Sequence, residues 1–477
     1  MTVEYDLVVI GASAAGIAAA KTAARYHARV ALVQQGETYN TLPICLSLLQ
    51  QTSLFQQTAP PQSAPTSSPA PNPQRPNFAE MAQLLQLLTQ QQQAGNSFDG
   101  LAALGIDVIT DVGAFYRKPR LGFSVGNRAL SARAYLVAMS LNQLQDSDDW
   151  TPANFPQHLA ELDDIQHLLI IGASPATVAI AQALAKLGLR VTLIDAADVI
   201  LGQSEMIDPE VAGLLQAQLE ADGVEIWTGC ERPRIDRSAG KVVVQVNGQT
   251  ITADALLTPA ARQLDVAKLA PEQLNLGAAK VRWNQQRIFV DRCLRGSRKV
   301  YVCVLLDSPQ HNRTSENQAI AATHHALRLP WGPQPSQLSP ITVRTNPELV
   351  TIGLTEAQAK QRYGHRIYVL KQPLNRLLKA QVIDRTLGYC KVIVQTNGTI
   401  VGAHLLGAEA AEWSAVLTLA IQQQLSINTI ADLVFPTPSL AEVLGHLAAD
   451  YRVRVRQSNL WRYTLEEFFA WRRYWAK

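Results

Sequence analysis

The order of apolar and polar positions near the start of the chain predicts a strand, a helix and a second strand. Residues Tyr5 to Ile10 form a nearly continuous apolar run, as expected for a buried parallel strand. The alanine-rich stretch from Ala14 to Ala24 keeps helical spacing, and Arg29 to Val33 is again mostly apolar. We therefore predict a βαβ unit between Tyr5 and Gly36.

The turn between this first strand and its helix has the spacing of a dinucleotide-binding loop. Gly11 would make the tight turn, and Gly16 would let the helix pack closely on the strand. Ser13 stands where a middle glycine is usual, and Gln34 stands where an acid usually binds ribose. The helix N-terminus would offer N–H groups to a pyrophosphate. The residues predicted to bind the nucleotide are Gly11, Ser13, Ala14, Ala15, Gly16 and Gln34.

The same pattern returns at His167, which predicts a second nucleotide-binding unit. Here the turn residues are Gly172, Ser174 and Thr177, with Thr177 in place of the packing glycine. Asp195 ends the second strand, where a carboxylate would accept from the ribose hydroxyls of NAD. No arginine follows it closely, which favours NADH over NADPH. The alternative is that Asp195 is a solvated loop acid.

The composition mainly excludes some classes of partner and site. The chain has 477 residues, 47% of them hydrophobic, and a net charge of only +3, so we expect no nucleic-acid partner. Its five cysteines are isolated, which argues against a zinc site or a disulfide framework. No apolar run reaches the length of a membrane span. We expect a reducing, cytoplasmic location and no metal.

Four further stretches carry a resemblance to a known family. TNPELVTIGLTEAQAK (345–360), LGYCKVIVQTNGTIVGAHLLG (387–407), ADLVFPTPSLAEVLGHLA (431–448) and DPEVAGLLQAQLEADGVEI (208–226) follow the two predicted units. Together they resemble the flavoprotein disulfide reductases, which include dihydrolipoamide dehydrogenase and mercuric reductase. The resemblance implies an α/β protein with two Rossmann-like domains, the second inserted in the first, and a C-terminal α+β dimerisation domain.

The same resemblance implies cofactors, partners and domain boundaries. It places FAD in the first domain, NAD(H) in the second, and a homodimer contact in residues 337–450. A tract rich in Pro, Gln and Ser would form a disordered loop within the first domain. The predicted segments are 1–164 with 269–336 for FAD, 50–77 for the loop, 165–268 for NAD, 337–450 for dimerisation and 451–477 for a tail.

The family's redox residues are only partly matched. Its dithiol would fall where this chain has Cys45 alone, and Leu49 and Ala179 replace a lysine–glutamate ion pair. Thr437 replaces the C-terminal histidine base, although the associated acid is present as Glu442. The catalytic candidates are therefore Cys45 and Glu442.

The last flavin contact expected from the resemblance is also displaced. The aspartate that binds the ribityl chain in the family is matched by Leu305. Asp307 lies two residues further on and is the substitute we predict.

Three functions remain open on the sequence. The first is an FAD- and NAD(H)-dependent oxidoreductase without an internal dithiol, which passes electrons from NADH through flavin to an unknown acceptor. The second is a catalytically silent family member that serves as a binding or assembly module. The third is a single-cysteine enzyme that resembles NADH oxidases, NADH peroxidases or coenzyme A disulfide reductases and uses Cys45.

The last 27 residues differ in character from the rest. Residues 451–477 contain eight aromatic residues, seven Lys or Arg and two acids. Thr464 and Glu467 have the spacing of a capping box, which predicts a helix from Leu465. Such a segment can attach peripherally to a membrane surface or to a protein partner. Alternatively, its aromatic residues cover the dimer or the protein's own core.

Overall fold

The computed structural model separates the chain into two compact units. The first comprises Met1–Ala196 and Gly223–Ser339, and the second comprises Ala197–Asp222 and Pro340–Lys477. The residues described are 3–35, 40–58, 75–139, 150–238, 240–258, 274–284, 288–303, 312–330, 338, 340–456 and 459–475.

Strands and helices alternate in the first unit and then give way to a strand-rich region. The strands are β1 (Tyr5–Ile10), β2 (Val30–Gln34), β3 (Ile106–Thr110), β4 (Gly113–Tyr116), β5 (Gly122–Val125), β6 (Arg128–Leu130), β7 (Ala132–Val137), β8 (His167–Ile171), β9 (Arg190–Ile194), β10 (Val224–Trp227), β11 (Arg234–Ser238), β12 (Lys241–Val246), β13 (Gln249–Ala253), β14 (Ala255–Leu257), β15 (Val300–Val302), β16 (Ile341–Val343), β17 (Glu348–Gly353), β18 (Ile367–Pro373), β19 (Tyr389–Gln395) and β20 (Ile400–Gly407).

The α-helices are α1 (Ala14–Arg25), α2 (Leu42–Thr58), α3 (Phe78–Ala94), α4 (Phe98–Ala103), α5 (Pro175–Lys186), α6 (Pro209–Ala221), α7 (Asn312–Ala326), α8 (Glu356–Tyr363), α9 (Leu378–Val382), α10 (Ala410–Gln422), α11 (Ile427–Ala431), α12 (Glu442–Arg456) and α13 (Asn459–Trp475). In the described part of the chain, 3₁₀ helices cover Phe155–Asp163 and Leu374–Arg376. Among the described residues, no helix is long and apolar enough to cross a membrane.

A five-stranded parallel sheet organises the first unit, in the order β15-β7-β1-β2-β3. The predicted strand, helix and strand are confirmed as β1, α1 and β2. Alanines at 15, 19 and 23 are fully buried on the face of α1 toward the sheet, so the helix lies close to it. Strand order reverses beside β1, because β2 and β3 lie on one side of it and β7 and β15 on the other. Such a reversal opens a crevice for a ligand at the carboxyl ends of the strands.

A second parallel sheet, in the order β10-β9-β8-β14, holds the repeated βαβ pattern. Its strands lie in the chain between β7 and β15 of the first sheet, so the second Rossmann-like domain is inserted in the first. Three-stranded antiparallel sheets, β4-β5-β6 and β11-β12-β13, accompany the two domains. The α/β fold class predicted from the sequence is therefore confirmed.

Helix α2 extends into the predicted Pro, Gln and Ser tract. We expected loop from residue 50, but α2 continues to Thr58. Leu49 and Ser53 are buried along α2. Packing therefore stabilises a helix in a polar stretch whose composition favours a loop. Residues 59–74 of the predicted tract lie outside the described residues.

The second unit is built on an antiparallel sheet, in the order β16-β17-β20-β19-β18. A buried ion cluster connects this sheet to α6. Lys391 on β19 is 2% exposed, and its Nζ lies 2.9 Å from Asp208 Oδ2, 2.9 Å from Glu210 Oε2 and 2.7 Å from Glu356 Oε2. Lys371 and Lys360 pair with the outer oxygens of Glu210 and Glu356.

The cluster explains a difference from the predicted domain boundaries. We expected residues 165–268 to form one nucleotide domain, but residues 197–222 group with the C-terminal unit. Asp208 and Glu210 open α6 and both bind the buried lysine, which requires these carboxylates to stay with β19. A buried charge without its partners would be strongly destabilising.

The carboxylates of the cluster are held in their ionised form. Hydrogen bonds from Lys360 and Lys391 lower the pKa of Glu356 to about 2, from an ordinary value of 4.5. Because the folded pKa is depressed, this contribution to stability is fully present above pH 4.5 and is lost as the pH falls toward 2.

Replacing Lys391 should destabilise the second unit. Lys391→Met leaves three carboxylates together without their central cation, and we expect a loss of about 3–5 kcal/mol in the free energy of unfolding. Urea titration followed by circular dichroism measures the change. Lys371→Met is the matched control, because Lys371 is half-exposed and should contribute about 0–1 kcal/mol. Equal unfolding midpoints for Lys391→Met and the unmodified protein would contradict the assigned role.

Candidate functional site

The first glycine turn lies at the carboxyl end of β1, beside the point where strand order reverses. Gly11 has a φ of 109°, which a residue with a side chain rarely adopts. A Cβ on Gly16 would lie 1.9 Å from the carbonyl oxygen of Gly11. Both glycines are therefore required by this backbone, as the sequence predicts.

Ser13 has a structural role that the sequence did not reveal. Its hydroxyl accepts from the N–H of Gly16 at 3.2 Å and donates to the carbonyl oxygen of Ala138 at 2.6 Å. The serine therefore caps α1 and fastens the turn to the end of β7. The N–H groups of Ala14 and Ala15 belong to the first helical turn, which has no intrahelical acceptor for them. They are the donors that a pyrophosphate would use.

Polar side chains stand at the end of β2, where a ribose would lie. Gln34 is its last residue and is half-buried. Gln35 follows directly, and its Nε2 is buried without a hydrogen-bond partner among the described residues. A buried amide donor without an acceptor is costly, so a ligand oxygen at this position would satisfy it. The dinucleotide-binding motif predicted Gln34 only, because it assigns one position to the ribose.

The second turn keeps its form with different side chains. Gly172 has a φ of 87°, and the Ser174 hydroxyl accepts from the N–H of Thr177 at 3.2 Å. The Thr177 hydroxyl donates to the Gly172 carbonyl oxygen at 2.7 Å. Thr177 thus contacts the turn through a hydrogen bond where a glycine would pack directly.

Asp195 lies directly after β9, at the same edge of the sheet as Gly172. It is 2% exposed, so the solvated loop acid considered from the sequence is not what the structure shows. Its backbone is fixed by hydrogen bonds with Trp227 and Cys230, at 2.8 and 3.1 Å. The residue is therefore rigidly placed at the predicted ribose position.

Cys45 lies in surroundings that suppress its reactivity. It is on α2, its side chain is fully buried, and burial raises the pKa of its thiol to about 12. A thiol with this pKa stays protonated at neutral pH, whereas redox cysteines act as thiolates. All five cysteines are among the described residues, and none forms a disulfide.

Glu442, the other catalytic candidate, contributes to helix geometry. It begins α12, and its Oε1 accepts from the N–H of Ser439 at 2.7 Å. Thr437 stands where the family has its histidine base, and it offers no group that titrates near neutral pH. Asp307 lies outside the described residues.

Comparison with protein-family models identifies the class of protein. The pyridine nucleotide-disulphide oxidoreductase model matches residues 5–303, and the dimerisation domain of the same family matches residues 339–448. The chain therefore belongs to the pyridine nucleotide-disulphide oxidoreductase family. The family's enzymes contain FAD and use NAD(P)H, and its dimerisation domain supports the homodimer predicted through residues 337–450.

Individual relatives are similar at low identity. Mercuric reductase from Staphylococcus aureus is 25% identical over 466 residues, which cover 92% of this chain and 81% of that protein. Dihydrolipoyl dehydrogenase from Bacillus subtilis is 24% identical over 295 residues, which cover 60% of each.

Solved structures share the fold. The HOCl-induced flavoprotein disulfide reductase RclA from Escherichia coli gives a TM-score of 0.76 at 23% identity, covering 93% of this chain and 99% of that one. LpdA from Mycobacterium tuberculosis gives 0.78 at 18% identity, covering 93% and 99%.

The first turn should tolerate no side chain at its packing glycine. In Gly16→Ala the new Cβ meets a backbone oxygen that cannot move aside, and we expect at least about 1–3 kcal/mol of destabilisation together with loss of bound flavin. Unfolding midpoints and flavin content of the purified protein measure both effects. Gly95→Ala serves as control, because nothing lies within 4 Å of the added atom. Full flavin content in Gly16→Ala would show that this turn does not hold the cofactor.

Proposed function

We propose that the protein is an FAD- and NADH-dependent oxidoreductase that transfers electrons through flavin to an external acceptor, without an internal dithiol. The observation that carries the proposal is the first glycine turn, whose close-packed geometry is intact, while Cys45, at the position of the family's dithiol, is buried. Bound flavin would supply a carrier that accepts a hydride from nicotinamide and passes two electrons on. With a quinone as acceptor, NADH, a proton and quinone give NAD⁺ and quinol.

The residues at the first turn fit the adenine dinucleotide part of FAD. Ala14 and Ala15 offer N–H groups in the first turn of α1, which has no intrahelical acceptor for them, and the helix dipole also favours a phosphate there. Gln35 supplies a buried donor for a ribose oxygen. Gly11 and Gly16 keep the backbone open to a ligand.

The arrangement at the second turn supports NADH as the electron donor. The Asp195 carboxylate would accept from the ribose hydroxyls, and its negative charge would repel the 2′-phosphate of NADPH. Gly172 and Ser174 place the N-terminus of α5 at the same edge of the sheet. A single carboxylate, that of Asp195, would therefore favour NADH over NADPH.

Direct transfer from flavin to the acceptor is favoured over a cysteine relay. Cys45 is buried, its pKa is raised, and α2 carries no second cysteine. The single-cysteine oxidase, peroxidase or coenzyme A disulfide reductase reaction would need a thiolate at this position.

A catalytically silent binding module is the second candidate. The observation that favours it is that positions matched to the family's site have structural roles here: Ser13 caps α1, Glu442 accepts from a backbone N–H, and Ala179 is buried in α5. Such a protein would keep the fold and dimer without turnover.

In either case, we propose that residues 451–477 attach the protein peripherally to a membrane surface or a protein partner.

Asp195→Asn should weaken the preference for NADH. The substitution keeps the shape but removes the charge, and the loss of a charge-assisted hydrogen bond of about 1.5–3 kcal/mol raises KM for NADH roughly tenfold or more. KM for NADPH should change less. Steady-state rates with each nucleotide and a soluble quinone measure the ratio, and Asp198→Asn, at an exposed site, is the control. An unchanged ratio would remove Asp195 from the nucleotide site.

Cys45→Ser should leave the reaction intact. Because the thiol is protonated and buried, its loss should change the rate of NADH-driven quinone reduction by less than about twofold, apart from a modest loss of stability. Cys390→Ser, also at a fully buried cysteine, controls for packing. Loss of turnover in Cys45→Ser but not in Cys390→Ser would favour the single-cysteine mechanism.

A further inference from the structure

The C-terminal helix α13 exposes large aromatic side chains. It starts at Asn459, six residues before the helix that the sequence predicts, so Thr464 lies inside it and is not its cap. The side chains described, those of residues 464–475, are all exposed. Phe468 is 48% exposed, Trp471 60% and Trp475 73%. So much exposed aromatic surface marks an interaction site.

These side chains share one face of the helix. At 3.6 residues per turn, Leu465, Phe468, Trp471 and Trp475 follow each other at intervals of three or four. The ring centroids of Phe468 and Trp471 are 6.4 Å apart, and those of Trp471 and Trp475 are 6.0 Å apart. Phe469 packs edge-on against Phe468 at 5.5 Å and widens the surface. The result is a continuous apolar strip along the helix.

The opposite face of α13 is polar. Glu466, Ala470 and Arg473 lie there, whereas Arg472 lies on the aromatic side, one turn after Phe468. Within α13 three arginines (Arg462, Arg472 and Arg473) stand against two glutamates, and Lys477 follows in the sequence. The helix thus combines an aromatic face with flanking positive charge.

This combination fits an anionic lipid surface better than a second copy of the tail. A two-fold contact would set the same basic segment against itself, and like charges repel. A bilayer interface accepts Trp and Phe at the level of its headgroups and attracts Lys and Arg through its phosphates. A helix of 17 residues with five charged side chains is suited to lie in that interface, since a span needs about 20 mostly apolar residues.

We propose that α13 lies in the interface of an anionic lipid bilayer and holds the protein on the membrane surface. Leu465, Phe468 and Trp471 enter the boundary between headgroups and acyl chains, and Arg472, on the same side of the helix, contacts lipid phosphates. The inference rests on the peripheral attachment proposed for residues 451–477. It does not depend on the redox reaction, since the nucleotide sites are in the other unit.

Vesicle co-sedimentation with the full-length protein tests the proposal. The probes are vesicles of phosphatidylcholine alone and of phosphatidylcholine with phosphatidylglycerol at a ratio of about 2:1, both at low and at high salt. We expect binding to the anionic vesicles that weakens with salt. Phe468→Glu should weaken it about 10-fold or more, since a buried Phe contributes roughly 1.5–3 kcal/mol. Ala470→Glu adds the same charge on the polar face and should reduce binding by less than about threefold.

Several results would overturn the proposal. The first is that the protein does not bind anionic vesicles. The second is that Phe468→Glu and Ala470→Glu lose vesicle binding equally. The third is that a chain ending at Gln457 binds the vesicles fully. A shift from dimer to monomer in Phe468→Glu, measured by light scattering, would assign the aromatic strip to a second copy of the chain. NADH oxidation by Phe468→Glu in solution separates the two proposals. The lipid proposal predicts the same rate as in the unmodified protein, whether or not the unmodified protein turns over.

Discussion

The close approach of α1 to the end of β1 is the constraint on which the nucleotide site depends. The helix reaches this position only because Gly16 has no side chain to meet the Gly11 carbonyl oxygen. The N-terminus of the helix therefore lies at the carboxyl end of β1, and Ser13 fixes the turn there through a hydrogen bond to Ala138. The site's form is a consequence of backbone packing, so it survives where the chemistry of the surrounding side chains has changed.

The fold of this protein and the chemistry of its site side chains therefore have to be considered separately. The family's fold, dimerisation domain and two nucleotide turns are present, whereas Cys45 is buried and Thr437 has no basic group. A flavin held by the backbone would still exchange electrons, because its redox chemistry is its own and needs no protein thiol. Under our proposals, Asp195 would select the nucleotide and α13 would hold the protein at a membrane surface.

Local signals in the sequence predicted the two βαβ units well, since β1, α1 and β8 follow from apolar spacing and glycine positions alone. Features that depend on distant partners were not predictable. Lys391 binds Asp208, which lies 183 residues away, and no local pattern relates them. The burial of Asp195 and the extension of α2 to Thr58 likewise come from tertiary packing. Gln35 was missed because no sequence pattern shows that its Nε2 is buried without a hydrogen-bond partner among the described residues.

The most direct test of the account is the visible absorption of the purified protein, reconstituted with FAD, before and after anaerobic addition of NADH. We predict flavin bands that bleach on NADH and return when a quinone is added, with no requirement for a thiol. A protein that binds FAD but is not bleached would contradict electron transfer from NADH. A protein that remains colourless after reconstitution would contradict the flavin site itself and leave the binding module as the function of this fold.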